Sequence, residues 1–165
     1  MKPALLVIDV QKAFFEHNPL TAQSLNQAIE TINPTIALFR KKQLPVICIQ
    51  NIDREGPVVP GAEGFEVPDH LTICTTDIHI HKMYKNSFCK TALGETLREL
   101  GVDTVIVTGF CAEHCVLSTY RGGDDLDLTP LILRGAIASG ISENIKFVES
   151  VNDIISFRAL ERFLD

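Results

Sequence analysis

Residues 104–116 read TVIVTGFCAEHCV. The first five are all β-branched, the composition of a strand covered on both faces. Gly109 then allows a tight turn, and a helix is expected over 112–120. A buried strand that passes through a glycine into a helix belongs to an alternating α/β architecture. The rest of the chain repeats the pattern. Residues 4–9 (ALLVID), 46–50 (VICIQ) and 77–81 (DIHIH) are short apolar or alternating runs of strand type. Residues 128–133 (LTPLIL) form a fifth, with Pro130 pointing to an edge strand or a strand start. Residues 153–156 (DIIS) are a sixth.

Helical periods lie between them. Leu25, Ile29, Ile32, Ile36 and Phe39 recur at steps of three and four. Pro34 falls inside this period and predicts a kink, or a new helix capped by Asn33. Residues 91–100 place Leu93, Leu97 and Leu100 on one face and stop at Gly101. Residues 142–151 read as another helix. The stretch 51–76 contains GPVVPGAEGFEVP and has no period; a long irregular segment of this kind is usually a functional loop. The reading is α/β: a three-layer α/β/α domain over 1–165 with a six-stranded, mostly parallel, doubly wound sheet. In such sheets ligands sit beyond the carboxyl ends of the strands.

Composition narrows the partners. The chain has 165 residues, 15 Lys plus Arg against 21 Asp plus Glu, and a net charge of −6. No basic cluster is present to neutralise phosphates, so nucleic acid is not expected as a partner. No run is long enough for a membrane span, and the apolar run at the N-terminus is too short for a signal-peptide core. A cytoplasmic protein acting on a small molecule is the expectation. Five cysteines without a secretory context read as reduced thiols.

Three polar residues follow strands directly. Asp9 would be partly desolvated and able to carry a proton, or else a structural acid at a strand end. Lys82 could pair with Asp9, or be an ordinary solvated lysine, with Lys85 as a nearby competitor. Cys115 falls in the first turn of the expected helix, where backbone N–H groups lower a thiol's pKa; the alternative is a small buried hydrophobe. Cys111 and His114 nearby raise the thought of zinc, but no second ligand pair at suitable spacing exists. An acid, an amine and a thiol at successive strand ends suit nucleophilic attack on a carbonyl.

On these residues the chain resembles the isochorismatase-like cysteine hydrolases. The motif strand–Asp–x–Gln–xx–Phe reads LLVIDVQKAF, with Asp9, Gln11 and Phe14. Lys–xxxxx–Phe reads IHKMYKNSF, with Lys82 and Phe88, which selects Lys82 over Lys85. Strand–Gly–xxxxx–Cys–Val reads VIVTGFCAEHCV, with Gly109, Cys115 and Val116, and a Gly–x–x–Gly lid reads GAEG at Gly61 and Gly64. The resemblance implies Cys115 as nucleophile, Asp9 as general base and then acid, and Lys82 as stabilising cation. It also implies a cis peptide at Phe110–Cys111, with the N–H groups of Cys111 and Cys115 as oxyanion hole. Gln11, Phe14, Phe15, Phe88 and Ala112 are the implied pocket residues, although Phe14, Phe15, Phe65 and Phe110 could equally face an interface or the core.

The departures from the family pattern carry meaning too. Relatives that hydrolyse nicotinamide hold a metal through an Asp–x–His pair after the second strand. Here that stretch is QNIDREG, so no metal and no cofactor are expected. Isochorismatases proper lack the cysteine. The implied activity is therefore hydrolysis of an amide or carbamoyl C–N bond through a thioester, by a homo-oligomer, either dimer or tetramer. The alternative is a non-catalytic binding or redox-sensing protein on the same fold, with Cys111 and Cys115 forming a reversible disulfide. A phosphate-accepting receiver domain would need paired acids after the first strand, and Asp9 is followed by Val10 and Gln11.

Overall fold

A computed structural model describes Met1–Asp165. Six strands form one sheet: β1 (Pro3–Ile8), β2 (Val46–Asn51), β3 (Ile78–Lys82), β4 (Thr104–Phe110), β5 (Thr129–Ala138) and β6 (Ile154–Ile155). Their order is β3-β2-β1-β4-β5-β6. Every neighbouring pair is parallel, so the expected sheet of mostly parallel strands is parallel throughout. The order reverses between β1 and β4, which leaves a crevice beyond their carboxyl ends.

Alternation along each strand builds two cores. Leu5 and Val7 of β1 and Ile106 of β4 pack under α2 (Pro19–Lys41) and α6 (Phe157–Leu164), with Leu25, Ile32, Phe39 and Leu160. Leu6 and Ile8 of β1 with Val105 and Val107 of β4 face the other way. There they meet Leu93 and Leu97 of α3 (Leu93–Glu99) and Val148 of α5 (Ser142–Ser150). α4 (Leu117–Asp124) lies on this second face, packing Leu117 and Tyr120 against the same core. A short helix, α1 (Lys12–Phe15), follows β1 directly. No helix is long and apolar enough to cross a membrane.

Two expectations about proline change. Pro34 does not interrupt its helix; α2 runs unbroken for 23 residues. Pro34 sits on the exposed face, where water can solvate the carbonyl that its missing N–H leaves free. The flanking Ile32 and Ile36 are wholly buried, and their burial holds the helix together. Pro130 does not mark an edge strand, because β5 lies between β4 and β6. It pairs with Val105, ahead of the point where β6 joins at Ile132, and so stands at a strand start. β5 also continues past the expected end. Val107 pairs with Ile132 but Gly109 with Ile137, so extra residues bulge out around Arg134 and Gly135. The bulge returns Ala136 to the core shared with Leu133.

Gly109 is the tightest point between the two central strands. Its φ is +111°, and a Cβ there would run into the Ile8 carbonyl oxygen. Gly109→Ala should therefore cost at least about 2 kcal/mol, from left-handed backbone plus direct overlap. Urea unfolding measures this; a loss below about 0.5 kcal/mol, typical of an indifferent surface change, would contradict it.

Candidate active site

β1 ends at Ile8, and Asp9 turns the chain out of the sheet. Its φ is +52°, a left-handed conformation that aspartate tolerates better than most residues. Its N–H still donates to the Ile49 carbonyl, 2.8 Å away, so the carboxylate starts from a fixed backbone. Lys82 closes β3, two strands over, and its side chain spans the crevice. Lys82 Nζ donates to Asp9 Oδ2 at 2.8 Å and lies 3.5 Å from Cys115 Sγ. Asp9 and Lys82 are each only 2% exposed. The acid, amine and thiol named from three separate stretches of chain thus meet at one point. Lys85 is exposed and takes no part.

The thiol does not sit as expected. Residues 112–120 are not one α-helix: Ala112–Val116 is a single π-helical turn, and α4 begins only at Leu117. Cys115 therefore precedes the α-helix instead of occupying its first turn. Nor is its pKa lowered. Burial, then the negative charge of Asp9, push the Cys115 thiol up to about 12, and Lys82 offsets this only in part. Burial likewise raises the carboxyl of Asp9, against the opposing charge and hydrogen bond of Lys82. Asp9 Oδ1 is buried and accepts no hydrogen bond. An oxygen with a free lone pair, a raised pKa and a protonated thiol nearby is placed to receive a proton.

The turn between Gly109 and Cys115 passes through a cis peptide at Phe110–Cys111. Phe110 packs its ring on Phe14, centroids 5.3 Å apart, and His17 meets both rings edge-on. Phe14 and Phe15 are half-buried against the α2-side core, and Phe15 meets His70 edge-on. Phe65 is core, packed with Ala13 and Val58. Gln11 and Ala112 have no exposed surface. Phe88 is wedged beside the backbones of Gly94 and Gly123, in the layer of α3 and α4.

Gln11 instead organises the irregular loop. Its Nε2 donates to the Asn51 and Phe65 carbonyls, both at 3.0 Å, and its Oε1 accepts from Asn51 N–H at 2.8 Å. Buried Gln50, which sequence reasoning missed, donates to the same Phe65 carbonyl at 3.0 Å. Two glutamines thus pin the loop beside the strand ends that carry Asp9 and Lys82. The place of Gln50 on β2, at the head of QNIDREG, was its only signal in the sequence. At the end of β2, Asn51 Nδ2 donates to Asp53 Oδ1 at 2.8 Å. No group of three His, Cys, Asp or Glu is arranged to hold a metal ion. All five cysteines are free thiols; Cys74 is exposed and Cys48 buried.

The model of the isochorismatase domain matches residues 3–147. The chain belongs to the isochorismatase family. It is 31% identical over 140 residues to the uncharacterized isochorismatase family protein YrdC of Bacillus subtilis, covering 84% of this chain and 74% of that protein. It is 26% identical to the ureidoacrylate amidohydrolase RutB of Pseudomonas syringae, over 82% of this chain and 71% of RutB. Among solved structures, N-carbamoylsarcosine amidase from Thermoplasma acidophilum superposes with a TM-score of 0.81 at 25% identity, covering 94% of this chain and 96% of that one. The isochorismatase-family fold thus accounts for the parallel sheet and its switch-point crevice.

Removing one member of a buried ion pair strands the other charge, at a cost of about 3–5 kcal/mol. Lys82→Met should lose about that much in urea unfolding. Adding Asp9→Asn, which removes the stranded charge, should restore a large part of it. A double variant no more stable than Lys82→Met alone would contradict the pairing.

Proposed function

We propose that this isochorismatase-family hydrolase is a metal-independent cysteine hydrolase that cleaves the C–N bond of a small amide or carbamoyl compound. The observation that carries the reading is the contact of Lys82 with both Asp9 and Cys115, with Asp9 Oδ1 left free. The amidohydrolase and amidase among the relatives support the bond type, and the Asn51–Asp53 pair supports chemistry without a metal.

In this mechanism Cys115 Sγ attacks the substrate carbonyl carbon while its proton passes to Asp9. The carbonyl oxygen becomes an oxyanion, held by the backbone N–H groups of Cys111 and Cys115. Collapse breaks the C–N bond, and the departing nitrogen takes the proton from Asp9. Water then gives a proton to Asp9 and attacks the thioester carbonyl. The second collapse expels the thiolate, which regains the proton, and releases the acid. Lys82 stays charged throughout and steadies whichever anion faces it.

A proton shared in this way suits a thiol that is neutral at rest. Thiolate is the nucleophile, so the resting thiol waits for a substrate to draw its proton onto Asp9. A redox-sensing role fits less well. Cys111 and Cys115 are both pushed up to about 12, chiefly by burial, and protonated thiols oxidise slowly.

A panel of small amides, ureides and carbamoyl compounds, assayed for ammonia release, tests the reaction. Turnover of at least one member that Cys115→Ala abolishes is the expected result; undiminished turnover by that variant would overturn the assignment. The pH dependence gives an independent check. Because the Cys115 pKa is raised, iodoacetamide alkylation of that residue should climb through about pH 9–10 with no plateau near neutrality. Asp9→Asn removes the negative charge that raises it and should move the inflection down. A neutral-pH plateau in the unaltered protein would contradict a protonated resting thiol.

A further inference from the structure

Lys82 closes β3, which is the edge strand at one side of the sheet. Its sheet neighbour is β2, whereas Cys115 follows β4, three places along the order β3-β2-β1-β4. The lysine nevertheless reaches within 3.5 Å of Cys115 Sγ. A direct tie joins the two segments outside the sheet, through residues that no motif above singles out. Ser87 lies on the chain leaving Lys82, and Thr119 lies in α4, one turn beyond Cys115. Ser87 N–H donates to Thr119 Oγ1 at 3.0 Å, and the two hydroxyl oxygens are 2.7 Å apart. Neither residue has any exposed surface.

The segment around Ser87 packs closely on α4. Asn86 Oδ1 accepts from Phe88 N–H at 2.9 Å, and the Ser87 carbonyl accepts from Thr91 Oγ1 at 2.6 Å. A turn beyond Thr119, Gly122 leaves room for the Asn86 side chain; a Cβ there would come within 2.5 Å of it. The Phe88 ring packs beside Gly123. Separating Ser87 from Thr119 would leave a backbone N–H and two hydroxyls buried without partners, which is costly. The chain leaving Lys82 is thus fastened to the helix that continues from Cys115.

We propose that Ser87 and Thr119 are positioning residues: their buried hydroxyl pair fastens the exit of the edge strand to the helix that follows the nucleophile, and so sets the reach of Lys82 to Cys115 and Asp9. The inference rests on Lys82 and Cys115 acting together in the hydrolase proposed above, but its first test needs no substrate.

The experiment labels the full-length native protein with trace acetic anhydride for lysines and iodoacetamide for cysteines, each residue quantified by peptide mass spectrometry. Lys82 reports on the site, and Cys48, 1% exposed within β2, reports on general opening. Thr119→Val keeps the shape of the side chain but removes the hydroxyl. It should raise Lys82 acetylation about tenfold, as a buried N–H loses its partner and the segment opens locally, while Cys48 stays as protected as before. Thr119→Ser keeps the hydroxyl and should behave like the unaltered protein. Unchanged Lys82 acetylation in Thr119→Val would overturn the proposal. So would a matching rise at Cys48, the mark of general loosening, or a Thr119→Ser protein as open as Thr119→Val, since the hydroxyl would then not make the tie. If Thr119→Val does not fold, Ser87→Ala removes the hydroxyl contact alone and should give the same pattern in milder form; an unchanged Lys82 rate there overturns the proposal equally. With a substrate from the amide panel, Thr119→Val should lower kcat with little change in KM, and Thr119→Ser should restore it. Full kcat in Thr119→Val would overturn the catalytic side of the proposal. Full turnover by Cys115→Ala would instead sink the hydrolase reading, and the labelling would still decide whether the tie holds Lys82.

Discussion

A carboxylate and an ammonium removed from water each cost several kcal/mol unless they meet with good geometry. Asp9 and Lys82 meet at 2.8 Å with almost no exposure, and much of the surrounding architecture serves that contact. β1 and β3 are separated in the sheet by β2, so the long lysine side chain must cross the end of one strand to reach the acid. The parallel arrangement makes this possible, because all six strands send their carboxyl ends to the same edge. Gly109 lets β4 lie close against Ile8, which brings the cysteine turn to the same place.

Burial chiefly sets the state of the thiol, and the pair then adjusts it. Lys82 alone would favour a thiolate, and Asp9 alone would oppose it. With both present and the site buried, the thiol keeps its proton, and Cys115 is pushed up to about 12. In the mechanism proposed here the site is quiet until a substrate enters, because ionising the sulfur means protonating Asp9 at the same moment. The mechanism proposed here uses that coupling: one proton shuttles between sulfur, Asp9, leaving nitrogen and water while the lysine charge remains constant.

Around this centre lie residues that act through others. Gln11 and Gln50 converge on a single carbonyl, that of Phe65, and hold the proline- and glycine-rich loop beside the crevice. Glu113 does similar work on the opposite side, through Ser139 and Asn144. Neither group is recognisable as chemistry in the sequence, since amides and acids at surface-like positions usually face water. Their burial and their backbone partners, separated by up to 54 residues of chain for Gln11, reveal their part.

By itself the sequence determined the class of fold, because the runs of β-branched and aliphatic residues in 104–108, 4–8 and 46–49 can only be buried on both faces, and helical periods fill the gaps between them. It also nominated Asp9, Lys82 and Cys115, since a polar residue that ends such a run stands out against it. What it left open was whether these three meet, and in what protonation state. Helix-dipole reasoning, which depends on neighbours in the chain, favoured a lowered thiol pKa; burial and the charge of Asp9, which come from residues far away in the chain, reversed it. The tolerance of Pro34 and the interior place of β5 were likewise decided by which face each residue turns to water, a property that only the packed molecule possesses.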